Sequence, residues 1–132
     1  MKKVKRIKLK VAKARAWKQF SLWIRLKNAN RSGFVHCYTC NLVAHWKSLD
    51  AGHGIPGRNN AVLFMEEVVR PQCKQCNIFK HGNLAPFTRK LIKEHGEDKY
   101  LELVRKSEEI VQYKVEDFLR IEEEYRNRLE SI

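Results

Sequence analysis

The sequence predicts a small α+β protein, mainly helical, with a zinc-bound core flanked by an N-terminal basic helix and by C-terminal helices. Apolar residues recur at helical spacing toward both ends, whereas the middle has short apolar runs broken by glycine and proline. Four cysteines, arranged as two CxxC pairs, lie in that middle part. By length the 132 residues form one domain. We divide it into a basic arm and helix (1–30), the zinc-bound core (31–84) and the C-terminal helices (85–132).

The positive charge of the chain is concentrated toward its N-terminal end. The formal net charge is +12, and residues 1–49 carry 13 of the 27 lysines and arginines but no acidic residue. Such asymmetry is typical of proteins that contact a polyanion, most often nucleic acid. The predicted DNA-binding residues are Lys13, Arg15, Lys18 and Arg25 on the first helix, and Arg58, a candidate phosphate clamp, in a later loop.

The first helix is expected from about Val11 to Asn28, after a basic arm at residues 1–10. Its apolar stripe follows spacings of three and four, and the turn residues of NANRSG end it. The residues of the stripe are Ala16, Phe20, Trp23, Ile24 and Lys27.

The middle of the chain is predicted to alternate short strands with turns. FVHCYTC and LVAHWKSLDAGH are expected to be strands and turns, GHGIPGRNN a loop, and AVLFMEEVVRPQC a strand or a mixed segment. NIFKHG is expected to be a short helix that Gly82 ends.

The C-terminal part is predicted to be helical throughout. Pro86 is expected in the first turn of a helix that ends near His95 with Gly96 as its cap. A second helical face follows Asp98, and a last helix of roughly twenty residues is expected to be amphipathic. Its stripe could pack on its own domain or form a dimer interface, and its acidic side at 122–124 is expected to be solvated. The stripe consists of Val111, Val115, Phe118, Ile121, Tyr125 and Leu129.

The two cysteine pairs indicate a structural zinc site. Cys37 with Cys40, and Cys73 with Cys76, each give two thiolates at a spacing that suits one metal, and together they complete a tetrahedral shell. The 32 residues between Cys40 and Cys73 must loop out and return to the metal. Disulfides are the alternative in an oxidising compartment. A thioredoxin-like redox role would need a single CxxC in a βαβ context.

Three polar residues near the cysteines form a candidate catalytic group. His53 is expected at the end of a strand, and Asn77 and His81 are four residues apart, on one face of the helix after the last cysteine. A zinc site would hold that helix against the strand of His53. Each residue also has a simpler interpretation: a surface histidine, a helix N-cap or an exposed residue near a helix end.

Several segments resemble the NinG (Rap recombinase) family of lambdoid phages. They are FSLWIRLKNAN, GFVHCYTC, WKSLDAGHGI, RPQCKQCNIFKHGN and LIKEHGEDKY, which together span roughly residues 17–101. More broadly, the pattern resembles HNH (ββα-metal) nucleases with a four-cysteine zinc site, similar to recombination endonuclease VII. The resemblance implies an HNH-like ββα-metal core that cleaves branched recombination intermediates, such as Holliday junctions, with His53 as general base and Asn77 as a metal-holding residue.

Two positions depart from that nuclease pattern. Gly52 occupies the place of the acidic residue that usually precedes the histidine, and Val68 replaces an asparagine. Asp50 lies three residues before His53 and would face away from it on an extended strand. His81 has no counterpart in the family pattern, although nuclease colicins have a histidine at the matching spacing.

The predicted activity is metal-dependent hydrolysis of DNA phosphodiesters. A neutral imidazole at His53 would accept the proton of water. Mg²⁺ or Mn²⁺ held by Asn77, His81 and either Asp50 or Asn83 would neutralise charge on the phosphate. We expect a homodimer in the cytoplasm of a bacterial host and no contact with membranes. A non-catalytic zinc-stabilised DNA- or RNA-binding module and a purely structural interaction protein are the alternatives.

Overall fold

The structure, a computed structural model, describes residues 6–57 and 59–132. Within these ranges the fold is α+β and mainly helical, as predicted. The helices are α1 (Leu9–Leu26), α2 (Asn60–Leu63), α3 (Leu84–His95), α4 (Glu97–Ser107) and α5 (Val115–Glu130). The strands are β1 (Phe34–His36), β2 (Val43–His45), β3 (Leu49–His53) and β4 (Val69–Cys73). Short 3₁₀ turns occur at Trp46–Ser48 and Glu66–Val68, and a π-helical turn occurs at Gln75–Phe79.

Two antiparallel hairpins bring the cysteine pairs together. β1 pairs with β2, and the first CxxC lies in the turn between them. β3 pairs with β4 so that Leu49 lies opposite Cys73 and His53 lies opposite Val69. The second CxxC therefore begins at the last residue of β4, next to the start of β3. The long insertion between the pairs supplies β3, its loop and β4, as the spacing required.

The main core forms where α1 packs against α5 and against the β3–β4 hairpin. Ala16, Phe20 and Ile24 of the predicted stripe are fully buried. The helix begins at Leu9, so the predicted arm ends earlier than expected. Residues 1–5 of the predicted basic arm lie outside the described ranges. α3 ends at His95, and Gly96 follows it as the predicted cap, with a φ of +87° and a ψ of 155°, a conformation that favours glycine.

The apolar stripe of α5 packs within the chain. Phe118 and Tyr125 are almost fully buried, and the ring of Tyr125 meets that of Phe20 edge-on, with centroids 4.9 Å apart. These side chains are therefore not available as a dimer interface. The helix begins at Val115 and not at Val111, because the Asp117 carboxylate accepts a hydrogen bond from the Lys114 backbone N–H (2.8 Å) and caps it there.

One residue of the acidic run 122–124 is buried, which corrects the expectation that the whole run is solvated. Glu122 is 5% exposed and forms ion pairs with Arg15 (3.0 Å) and Arg126 (2.9 Å). Arg15, predicted to bind DNA, therefore joins α1 to α5. Within the described ranges, every helix is too short or too polar to serve as a membrane span.

Replacing Glu122 by glutamine is expected to lower the free energy of unfolding by about 1–2 kcal/mol, because two charge-assisted contacts are lost at a buried position. The cost is limited since both arginines are half-exposed and can return to water. Urea denaturation would measure the change. Glu123→Gln, at an exposed position of the same helix, is the matched control and is expected to have no effect. Equal midpoints for the two variants would contradict the structural role of Glu122.

Candidate functional site

The four cysteines converge on one point between the two hairpins. All four Sγ atoms lie within 4.8 Å of one another, and those of Cys40 and Cys73 are 3.7 Å apart. A disulfide would bring two sulfurs to about 2 Å, whereas a tetrahedral zinc with bonds of about 2.3 Å separates its sulfurs by about 3.8 Å. The cluster therefore fits a metal such as zinc. Among the residues that the structure describes, no other group of three or more His, Cys, Asp and Glu side chains is close enough to hold a metal ion.

The local backbone prepares this site for a metal. The first CxxC turn closes through a hydrogen bond from the Asn41 N–H to the Cys37 carbonyl (2.9 Å), with Asn41 in the left-handed conformation. Burial works against ionisation of the Cys37 thiol, but hydrogen bonds from the backbone at Cys73 and Thr39 outweigh it and lower its pKa to about 6. Burial raises the pKa of Cys40 to about 12. The fold thus favours one thiolate, the form that a metal requires.

His53 ends β3 with its ring almost fully buried. Its Nε2 lies 3.2 Å from the carbonyl oxygen of Leu63. Because a carbonyl oxygen only accepts hydrogen bonds, Nε2 is the donor in this contact. The indole of Trp17, from α1, stacks on the imidazole with centroids 5.5 Å apart. These contacts hold the ring in one orientation.

The three candidate catalytic residues line one cavity of about 190 Å³, formed by His53, Asn77 and His81 with smaller neighbours. The predicted shared helix is wrong, however. The π-helical turn that carries Asn77 ends at Phe79, and His81, Gly82 and Asn83 all have positive φ. His81 therefore reaches the cavity from a tight turn and not from one helical face. The four-residue spacing of Asn77 and His81 therefore predicted a helix where the chain forms a turn, although both residues do line the same cavity.

Asp50 lines a second cavity of about 290 Å³, which shares Ala51 and Asn77 with the first. Its Oδ2 accepts a hydrogen bond from the Asn77 Nδ2 (3.1 Å), and its Oδ1 pairs with the Lys74 Nζ (2.8 Å). Asp50 and His53 therefore line different, adjoining cavities. Asn83 donates a hydrogen bond to the Cys76 Sγ (3.6 Å) and so belongs to the cysteine cluster.

Comparison with known proteins places the chain in a family. The model of the family described as "Bacteriophage Lambda NinG protein" matches residues 1–132. The chain belongs to the NinG family. It is 28% identical over 135 residues to protein ninG of Escherichia phage lambda, an alignment that covers 95% of this chain and 64% of that protein. No solved structure shows a significant match. The predicted resemblance to NinG is confirmed, while the similarity to HNH nucleases and to endonuclease VII stays a prediction.

In this NinG-family chain, Gly52 leaves no room for an acidic side chain before His53. A Cβ atom at Gly52 would lie 1.9 Å from the Oε1 of Gln72. Gln72 is fully buried, and its Nε2 donates to the Thr39 Oγ1 (3.0 Å) and to the Gly82 carbonyl (2.8 Å). This amide thereby connects the first CxxC turn to the turn of His81. Val68 is also buried, and its carbonyl accepts a hydrogen bond from the Gly54 N–H (2.8 Å), which closes the loop after His53.

Replacing Gly52 by alanine is expected to lower the free energy of unfolding by about 1–3 kcal/mol, because the new methyl group would displace the bonded Gln72 amide. Thermal denaturation would measure the loss. The double variant Gly52→Ala/Gln72→Ala serves as the control. With the Gln72 amide removed, the methyl group at position 52 has space, so the stability losses of the two single substitutions should not add. Additive losses would show that Gln72 is not the obstacle.

The predicted DNA-binding residues have different surroundings. Lys13 and Lys18 are exposed on α1, while Arg15 is paired with Glu122. Arg25 lines the second cavity and donates to the carbonyls of Ser21 (3.0 Å) and Trp46 (3.3 Å). Burial lowers the pKa of Arg25, and the nearby Asp50 carboxylate opposes that shift. Arg58 lies outside the described residues.

Sequence reasoning missed two side chains that support the site. Trp17 lies outside the apolar stripe predicted for the first helix, yet its ring packs on His53. Gln72 is a polar residue within the otherwise apolar segment VVRPQC, and that contrast was the available signal of a buried hydrogen-bonding role.

Proposed function

We propose that this NinG-family protein is a metal-dependent endonuclease that acts on branched DNA. The observation that carries the proposal is the convergence of His53, Asn77 and His81 on one cavity beside the cysteine cluster. The order of elements supports it further: hairpin β3–β4, with His53 at the end of the first strand, is followed directly by the helical turn of Asn77. An HNH-like ββα-metal core would have its two strands and its helical element in this order.

His53 is the proposed general base. Its Nε2–H is held by the Leu63 carbonyl, so Nδ1 is the nitrogen that accepts the proton of the attacking water. The contacts with Trp17 and Leu63 hold the ring in one orientation and spare the protein the cost of ordering it during the reaction.

Asn77, His81 and Asp50 are the proposed ligands of a catalytic Mg²⁺ or Mn²⁺. Because the Asn77 Nδ2 donates to Asp50, its carbonyl oxygen points elsewhere and is the atom of that amide which suits a hard cation. When bound, the ion would supply positive charge at the phosphate and at the leaving oxygen. Asp50 and His81 line different cavities that meet at Asn77. The protein therefore provides few ligands, and substrate and water would supply the others.

The basic N-terminal half is the proposed DNA-binding surface. Cations on α1 and around the second cavity can contact the phosphate backbone without reading base sequence. Specificity would then come from the shape of a branched substrate. Two symmetric cuts in a four-way junction require a homodimer. Its interface must lie outside the α5 stripe, where Phe118 and Tyr125 are buried.

Binding and cleavage measured side by side test the proposal. A four-way junction and a linear duplex of the same sequence would be incubated with Mg²⁺, with Mn²⁺ and without added metal, since a chelator would also attack the cysteine site. The proposal expects metal-dependent cleavage that is faster on the junction. Tight, salt-sensitive binding without cleavage in either metal would instead support the non-catalytic binding module. The absence of any salt-sensitive binding would support a structural interaction protein.

A further inference from the structure

The second cavity has a positive charge that the proposed hydrolysis at His53 does not itself require. Arg25 and Lys47 line it, and its one acidic lining residue is Asp50, which is already paired with Lys74. The four side chains together leave an excess of two positive charges on this part of the surface. A half-open cavity with such an excess attracts anions.

A single aromatic ring positions both of the lining cations. The Arg25 guanidinium carbon lies 5.3 Å from the ring centroid of Trp46, and the Lys47 Nζ lies 5.7 Å from the same centroid. Arg25 is fixed further by its hydrogen bond to the Trp46 carbonyl (3.3 Å). The backbone N–H of Lys47 donates to the Nδ1 of His45 (3.2 Å), which holds the turn that carries it. Two like charges drawn to one ring repel each other unless an anion joins them.

The position of this cavity indicates which anion it would take. It shares Ala51 and Asn77 with the cavity of His53, so a ligand with one phosphate in the His53 cavity and a second negative charge close by could occupy both. Consecutive phosphates of one DNA strand have that property. Arg25 offers a forked donor and Lys47 a point charge, which is the usual pair of partners for a phosphate.

We propose that Arg25 and Lys47, held by Trp46, form a binding site for the phosphate that neighbours the one placed in the His53 cavity. This inference rests on the proposed function, because it assumes that DNA occupies the first cavity. The site orients the strand across Ala51 and Asn77, and so fixes which phosphodiester faces His53. Arg25 and Lys47 are therefore positioning residues.

The test measures coupling between one lysine and one phosphate. A series of four-way junctions would each carry a single methylphosphonate, which removes the charge of one phosphate, at successive positions near the branch. Affinity would be measured without added Mg²⁺ or Mn²⁺ for the wild type, Lys47→Met and Lys18→Met. Lys18 is the matched control because it is an exposed lysine of α1 that does not line the cavity.

At one position, the methylphosphonate is expected to weaken wild-type binding about three- to fivefold and to weaken Lys47→Met by a smaller factor, because only Arg25 then remains to contact that phosphate. For Lys18→Met, the methylphosphonate at that position should lower the affinity by the same factor as it does for the wild type. Lys47→Met should also lower the slope of log affinity against log salt by about one. If every methylphosphonate weakened the wild type and Lys47→Met equally, the site would be excluded. Coupling without cleavage would refute the nuclease and keep the site, whereas cleavage without coupling would do the reverse.

Discussion

Removal of the metal from the cysteine cluster is expected to unfold the core of this protein. A structural zinc contributes about 10–16 kcal/mol of binding free energy, which is as large as the usual total stability of a domain, about 5–15 kcal/mol. The cluster joins β1–β2 to β3–β4, and these hairpins have no other cross-link of comparable strength among the described residues.

Elemental analysis of the purified protein should give one zinc per chain, and Cys73→Ser should give less than one, with loss of the cooperative thermal transition. Thr39→Ala is the matched control: it changes the same turn and removes a neighbour of the Cys37 Sγ (3.5 Å) but no metal ligand. That variant is expected to keep its zinc and its cooperative transition, at a lower melting temperature because the buried Gln72 amide loses one hydrogen bond. A stable, fully folded protein without any bound metal would show that the cluster is not a structural site.

Replacing His53 by alanine is expected to slow cleavage by a factor of about 10²–10⁴, the usual contribution of a general base. Binding of DNA should change little, because the ring is almost fully buried and faces the cavity, not the basic surface. Single-turnover rates at saturating protein would separate the two quantities. Added imidazole is expected to restore part of the rate of this variant.

His36→Ala is the control for that experiment. His36 lies on β1 with its side chain exposed and does not line the cavity. Its replacement should leave the cleavage rate unchanged. Equal rates for the wild type and His53→Ala would exclude His53 as the base, whichever residue then carries the activity.

The features that could be predicted from the sequence are local ones. The two cysteines of a CxxC pair are only three positions apart, so their role as half of a metal site can be recognised without knowledge of the fold. Helical spacing likewise identified the buried face of α1, including Phe20 and Ile24. The loop after β3 and the cap at Gly96 followed from the conformational preferences of glycine and proline.

The features that could not be predicted depend on pairs of residues far apart in the chain. Arg15 and Glu122 are 107 residues apart, and nothing in the sequence near either one indicates the other. Periodicity showed that α5 has an apolar face but could not show that α1 covers it. The turn at His81 was missed because three successive residues with positive φ, two of them not glycine, are held by tertiary contacts such as the Gln72–Gly82 hydrogen bond.

Cleavage of a four-way junction by the wild-type protein is the most direct test of the central claim. The junction would be labelled on each strand in turn, and the products formed in Mg²⁺ and in Mn²⁺ would be mapped and their ends identified. The proposed chemistry predicts paired nicks near the branch with 3′-hydroxyl and 5′-phosphate ends, and none without added metal. Zinc-loaded protein that binds the junction tightly and leaves every strand intact in both metals would contradict it.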